Sequence, residues 1–120
     1  MEQNRKSHAT DSLPAPSREQ FEMIAELFKV FADASRLSIL HSLKSAPKSV
    51  GELVEELDLT QANVSKHLRI MHDARILRRE KQGTSVFYSI DDSVIFPLCD
   101  LICDKLNRDH QSRPVLDFSI

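Results

Sequence analysis

Two groups of residues have types and spacings that could do chemistry. The first is Thr60-Gln61-Ala62-Asn63-Val64-Ser65-Lys66-His67-Leu68-Arg69. On a helix, Val64, Leu68 and Met71 form one apolar stripe. Gln61, Ala62, Ser65, Lys66 and Arg69 then fall on the opposite face. Amide side chains bond bidentately to adenine, Arg and Lys bond to guanine, and an Ala methyl meets the thymine methyl. The chemistry of that face is therefore base-edge recognition, with Gln61 the leading base contact. Asn63 lies towards the side of the helix. Thr60 caps it and also suits a phosphate. A plain wet surface is the competing role for Ser65 and Lys66. His67 sits beside the apolar stripe, where packing is its simplest role.

The second group is Cys99 and Cys103, four apart and on one helical face. His110, eleven residues after Cys99, returns to about 20° from it if the helix extends that far. Soft thiolates suit arsenite, antimonite, Cu(I), cadmium or zinc. Trivalent arsenic wants three sulfurs, so such a site would have to form across two subunits. Redox or reactive-sulfur chemistry is a second reading. Cβ atoms four apart on a helix lie about 5–6 Å apart, whereas a disulfide wants about 3.5–4.5 Å. An intersubunit disulfide, a sulfenic acid or a persulfide is easier than an intrahelical bond. The third reading is plain packing. Cysteine is a small hydrophobe, and both lie in a stripe with Ile95, Ile102 and Leu106. Asp100 and Asp104 share a neighbouring, solvated face. A thiol enzyme would need an activated cysteine with a base nearby. The C-x3-C spacing and the absence of a nucleophile elbow disfavour it.

The chain that must position these groups has 120 residues, 41% hydrophobic and 28% charged. That is one small domain with room for tails. Two Gly, five Pro and no Trp disfavour a turn-rich β-sandwich. No apolar run reaches the roughly 18 residues of a membrane span. The N-terminus has no apolar core of a secretory signal. Two Cys make no disulfide framework and fit a reducing cytoplasm. No Gly-rich phosphate loop is present, which excludes a Rossmann domain. Net charge is −2, but residues 60–90 hold six basic groups against two acidic, and the remainder holds ten against sixteen. A basic segment on an acidic body suits a localised polyanion contact, or else a solvated face.

Helical spacing begins after a polar stretch. Ser17 and Gln20 form a capping box for helix one, about 18–32, with Phe21, Ile24, Leu27, Phe28 and Phe31 apolar. Asp33 or Ser35 caps helix two, about 34–45, with Leu37, Leu40 and Leu43. Ser49 and Glu52 form a second capping box for helix three, which carries Val50, Leu53, Val54 and Leu57. After a turn at Asp58-Leu59, Thr60 opens helix four, about 61–74. The period then becomes two. Ile76–Glu80 and Ser85–Ile90 flank Lys81-Gln82-Gly83-Thr84 and read as a β-hairpin. Arg78 and Arg79 alternate across the strand, so only one faces a ligand well. A last helix, with Pro97 in or near its first turn, runs to about Asn107. The apolar end from Val115 to Ile120 either docks or dangles.

The fold class is mainly α with a small β-hairpin, a winged helix-turn-helix. Residues 1–17 form a disordered polar tail, 18–108 the DNA-binding domain with its dimerisation helices, and 109–120 a C-terminal tail. Helix one and the last helix are amphipathic on a small domain. Their partner is the same pair in a second copy.

These residues resemble the ArsR/SmtB family of bacterial transcriptional repressors. The carriers are Phe28 to Leu40, Gly51-Glu52-Leu53, Leu59 to Leu68, and the wing from Lys81-Gln82-Gly83 through Val86-Phe87-Tyr88. The resemblance covers about residues 21–106. It implies a homodimeric, cytoplasmic repressor on a palindromic double-stranded DNA operator, without an enzyme activity. DNA contacts would come from Thr60, Gln61, Ala62, Asn63, Ser65, Lys66 and Arg69 of helix four and from Arg79, Lys81, Gln82 and Thr84 of the wing. Family members usually release DNA on binding an inducer, often a thiophilic metal or metalloid of the arsenite class. Two family metal sites are absent here. Helix three lacks Cys, and of the last-helix ligand positions only Asp92 matches, while Val94, Lys105 and Arg108 occupy the others. Cys99, Cys103 and, if the helix reaches it, His110 remain as metal or redox candidates. The alternatives are a constitutive repressor, and a winged-helix interaction module that does not bind DNA.

Overall fold

The computed structural model describes residues 14–110 and 117–120. Most of the expected N-terminal tail, residues 1–13, lies outside the described residues, as do 111–116. Residues 14–17 have no regular structure.

Helix α1 (Arg18–Phe31) opens with the expected capping box: the Gln20 N–H donates to Ser17 Oγ at 3.2 Å, and the Ser17 N–H donates to Gln20 Oε1 at 2.7 Å. Helix α2 (Ala34–Leu43) is capped by Asp33, whose carboxylate accepts from the Arg36 N–H at 3.0 Å. Leu40 and Leu43 are buried as the pattern predicts, whereas Leu37 is only half-buried and Ile39 is fully enclosed. The single-stripe reading misses Ile39 because α2 is the central helix. It packs against α1, α3, α4 and the sheet, so it buries more than one face.

Lys48–Ser49 form a two-residue strand, β1. The alternation in the sequence predicts a two-stranded hairpin and is silent on β1, because two residues carry no periodicity. What holds β1 is a polar knot. Lys48 Nζ donates to Ser42 Oγ at 2.8 Å and to Glu56 Oε1 at 2.6 Å, and the Ser42 hydroxyl donates to Glu56 Oε2 at 2.8 Å. These bonds favour the charged Glu56 carboxylate and hold it below its usual range, Lys48 contributing most.

Helix α3 (Val50–Leu57) starts at the second capping box, with the Glu52 N–H donating to Ser49 Oγ at 3.2 Å. Ser49→Ala removes that acceptor and is expected to destabilise the fold by about 1 kcal/mol. The check is a lower urea midpoint at unchanged slope. Asp58 ends α3 in the left-handed region at φ 54°, a conformation Asp tolerates. Helix α4 (Gln61–Asp73) has Ala74 as its C-cap, followed by Arg75 in the left-handed region at φ 63°. The Ile76 N–H bonds the Met71 carbonyl and the Arg75 N–H bonds that of His72, which is a Schellman closure.

Strands β2 (Leu77–Gln82) and β3 (Ser85–Ile90) pair antiparallel, with Leu77 opposite Ile90 and Gln82 opposite Ser85. Strand β1 pairs with the other edge of β3, giving the order β1-β3-β2. The hairpin turn is Gly83-Thr84, shorter than the four-residue turn expected, so Lys81 and Gln82 belong to β2. Only Gly83 has positive φ (65°), the pattern of a II′ turn. Helix α5 (Ile95–Asp109) accepts Pro97 as its third residue, in the first turn as predicted. The core comprises Ile39, Leu40, Leu43, Leu53, Val64, Leu68, Met71, Ile76, Leu77, Ile95 and Cys99. Ile120 packs against it, so the end of the chain docks rather than dangles. Asn107 clasps the main chain of Phe118 by accepting its N–H at 2.5 Å and donating to its carbonyl at 3.0 Å.

Candidate nucleic-acid interface

Helix α4 buries one face and bares the other. Val64, His67, Leu68 and Met71 are buried, which fixes the roll of the helix. Gln61, Ala62, Asn63, Ser65, Lys66 and Arg69 are all exposed. Thr60 Oγ1 accepts from the Asn63 N–H at 3.1 Å, so the cap also starts the helix at the exposed Gln61. Among the described residues, no hydrogen bond or ion pair engages the side chains of Gln61, Lys66 or Arg69. This is an amide, a hydroxyl and two cations on little more than two turns of helix, pre-positioned and unspent.

The hairpin sorts its residues by pleat. Leu77, Arg79 and Lys81 share a face with Val86, Tyr88 and Ile90, while Arg78, Glu80 and Gln82 share the other. Arg78 is committed to Asp91 at 2.8 Å, which leaves Arg79 as the uncommitted member of the pair. The wing residues Arg79, Lys81, Gln82 and Thr84 are all exposed, but Gln82 points to the face opposite Arg79 and Lys81.

His67 is packed, as its place beside the apolar stripe predicts. Arg36 NH1 lies 3.2 Å from His67 Nδ1, and Asp33 Oδ1 lies 3.8 Å from Nε2. Burial lowers the imidazole's pKa, the Asp33 carboxylate opposes that, and the Arg36 and Lys66 cations reinforce it. The Arg36 role was invisible in the sequence, because nothing local says that its guanidinium reaches across 31 positions.

Helix α1 has no buried residue. Phe21, Ile24, Leu27 and Phe28 are exposed, and so are Phe96, Leu101 and Ile102 of α5. A hollow of 390 Å³ lies between the two helices, lined by Ile24, Leu27, Phe28, Ile95 and Leu98 among others. An apolar surface this continuous marks an interaction face.

Residues 33–79 match the bacterial regulatory protein, arsR family. Over 101 residues the chain is 36% identical to the HTH-type transcriptional regulator KmtR of Mycobacterium tuberculosis, covering 83% of this chain and 76% of that one. The chain belongs to the ArsR family. Among solved structures, M. tuberculosis Rv0081 superposes with a TM-score of 0.73 at 30% identity, covering 81% of this chain and 98% of the other. The AntR antimony-specific transcriptional repressor superposes at 0.69 with 25% identity, covering 88% and 96%. The fold is thus the winged helix-turn-helix of this family, with α3 and α4 as its helix-turn-helix and β2–β3 as its wing. The ArsR-family chain is a DNA-binding transcriptional regulator, not an enzyme. No helix among the described residues is long and apolar enough to cross a membrane.

The cysteines of this ArsR-family regulator are free and buried. Burial raises the Cys99 thiol's pKa, and neighbouring Cys103 raises it further. The expected result is slow alkylation of native Cys99 at neutral pH, accelerating on unfolding, read by mass spectrometry of iodoacetamide-treated protein. His110 caps the end of α5, and its ring packs on Phe118 with centroids 5.7 Å apart. Among the described residues, no three His, Cys, Asp or Glu side chains gather as a metal site. Within one chain, two buried thiols fall short of the three sulfurs that a trivalent metalloid wants.

Proposed function

We propose that this regulator is a homodimeric repressor that sets the α4 of each protomer in successive major grooves of an imperfectly palindromic operator. The uncommitted polar face of α4 carries this reading. Gln61 reads a base edge with Ala62 and Asn63 beside it. Ser65, Lys66 and Arg69 continue the contact, and Thr60 touches phosphate. Arg79, Lys81, Gln82 and Thr84 of the wing hold the adjacent backbone, contacts that orient more than they specify. Two copies pair through the exposed apolar faces of α1 and α5, which fixes the spacing of the half-sites. The site of action is the cytoplasm, where the DNA is.

The burial of Cys99 and Cys103 favours packing over sensing, and no step of repression passes through them. An inducer of the arsenite class, or an oxidant or polysulfide, would have to reach both thiols across the subunit boundary.

Fluorescence anisotropy on duplex DNA from the protein's own promoter tests the reading. Tight binding is expected, weaker on mixed-sequence duplex, with log affinity falling linearly in log salt by about 0.9 per neutralised phosphate. Weak, salt-insensitive binding to both duplexes would favour the interaction-module alternative. Arsenite, an oxidant and a polysulfide are then added to the bound complex, with Cys99→Ser/Cys103→Ser alongside. Persistence of the complex in both proteins is the expected result; release that requires the cysteines would overturn the packing role.

A further inference from the structure

The end of α1 and the buried side of α4 are joined by one side chain. Arg36 spends its guanidinium in three directions: Nε donates to the Val30 carbonyl at 2.7 Å, NH2 to the Lys29 carbonyl at 3.3 Å, and NH1 to His67 Nδ1. The first two acceptors are main-chain oxygens in the last turn of α1, and the third is on the helix that bears Gln61 and Lys66. Arginine cannot accept a hydrogen bond, so Nδ1 must be the lone-pair nitrogen. The ring proton then sits on Nε2, on the side of the Asp33 carboxylate. Asp33 is fixed in turn by capping α2.

We propose that Arg36 and neutral His67 are positioning residues for DNA binding, locking the roll of α4 to the end of α1 through the guanidinium-to-Nδ1 bond. This rests on the reading of α4 as the recognition helix. The charged groups acting on the ring are Asp33 from the α1–α2 turn, Arg36 from α2, and Lys66 from α4 itself. A proton added at Nδ1 would replace an acceptor with a donor facing the guanidinium, and set two cations about a hydrogen-bond length apart. Burial and both cations oppose that proton, while Asp33 alone favours it. Acid therefore breaks the lock, and its effect on DNA binding has a sign that bulk electrostatics does not share. Protonating histidines makes the protein more cationic, which by itself tightens binding to a polyanion.

The test uses the full chain, its own promoter duplex and a mixed duplex, from about pH 7.5 to about pH 5.5. Wild type should lose promoter affinity several-fold, the loss steepening towards the acid end of that range because the imidazole's pKa lies below its ordinary value, while mixed-duplex binding holds or strengthens. His67→Asn places an amide oxygen near the position of Nδ1 and does not titrate. It should bind within about threefold of wild type at neutral pH and stay flat on acidification. His67→Leu fills the space without an acceptor and should bind promoter about tenfold or more weakly at every pH. Parallel pH profiles for wild type and His67→Asn, or full affinity in His67→Leu, would overturn the lock. Hydrogen exchange of the free protein gives a DNA-independent readout. The α4 amides should lose protection at acid pH in wild type and keep it in His67→Asn. That pattern in a protein that ignores both duplexes would preserve the lock and sink the recognition role of α4; unchanged protection would do the reverse.

Discussion

Replacing Gln61 and Lys66 together by alanine is expected to abolish promoter-specific binding while leaving the fold and the assembly state untouched. Both side chains are exposed and neither makes a hydrogen bond or ion pair with a described neighbour, so their removal takes no such bond from the folded chain. Surface changes of this kind normally shift stability by no more than about 0.5 kcal/mol. On DNA the balance is different. A bidentate amide-to-adenine contact discriminates by about 1–3 kcal/mol, and a lost lysine weakens the polyanion contact as well. The pair should cost roughly one to three orders of magnitude in promoter affinity, since each 1.4 kcal/mol is about tenfold. The single variants should separate the two roles. Gln61→Ala should narrow the gap between promoter and mixed duplex with the salt slope unchanged. Lys66→Ala should lower the slope by about 0.9, the contribution of one phosphate. Anisotropy titrations at several salt concentrations read both. Promoter affinity retained in both single variants would mean that α4 does not enter the groove as drawn.

The placement of that face was legible because local rules agree there. Thr60 is a capping residue, Val64, Leu68 and Met71 repeat at helical spacing, and the polar remainder must face out. The same agreement gave the two capping boxes, the hairpin and the first-turn position of Pro97. What escaped the sequence is what depends on distance in the chain. Strand β1 is two residues long and exists because β3 offers an edge and because Lys48 meets Ser42 and Glu56. Ile39 reads as off-stripe until α2 is known to be surrounded. Arg36 looks like one more surface arginine until the end of α1 and His67 are brought to its tip. Lys81 and Gln82 look like loop residues, yet they fit an exposed strand just as well and pair with Val86 and Ser85. Apart from the hairpin turn, each miss is a tertiary partner overriding a weak local signal.

A second large effect is expected at the opposite end of the molecule. Phe28 is 61% exposed in the single chain and lines the hollows between α1 and α5. In a lone protomer, Phe28→Asp exchanges an exposed apolar ring for a hydrated carboxylate, so folding should not suffer. In a dimer packed through these faces, the same carboxylate would be buried without a partner, at several kcal/mol per copy. Sedimentation at micromolar concentration should therefore find a folded species of single-chain mass, where wild type shows twice that mass. DNA binding should fall further than loss of one contact explains. Two linked recognition helices gain from effective concentration, a factor of about 10² to 10⁴ that disappears when the protomers part. Leu98 is the less informative site, because it is half-buried and its replacement would disturb the monomer too. Phe28→Leu keeps the face apolar and should remain dimeric. This outcome is independent of the α4 result: a monomeric Phe28→Asp protein should still show weak, salt-dependent binding through one intact recognition helix. If Phe28→Asp stays dimeric and binds promoter as wild type does, the subunits meet elsewhere, and the spacing of the two α4 helices must be set by a different surface.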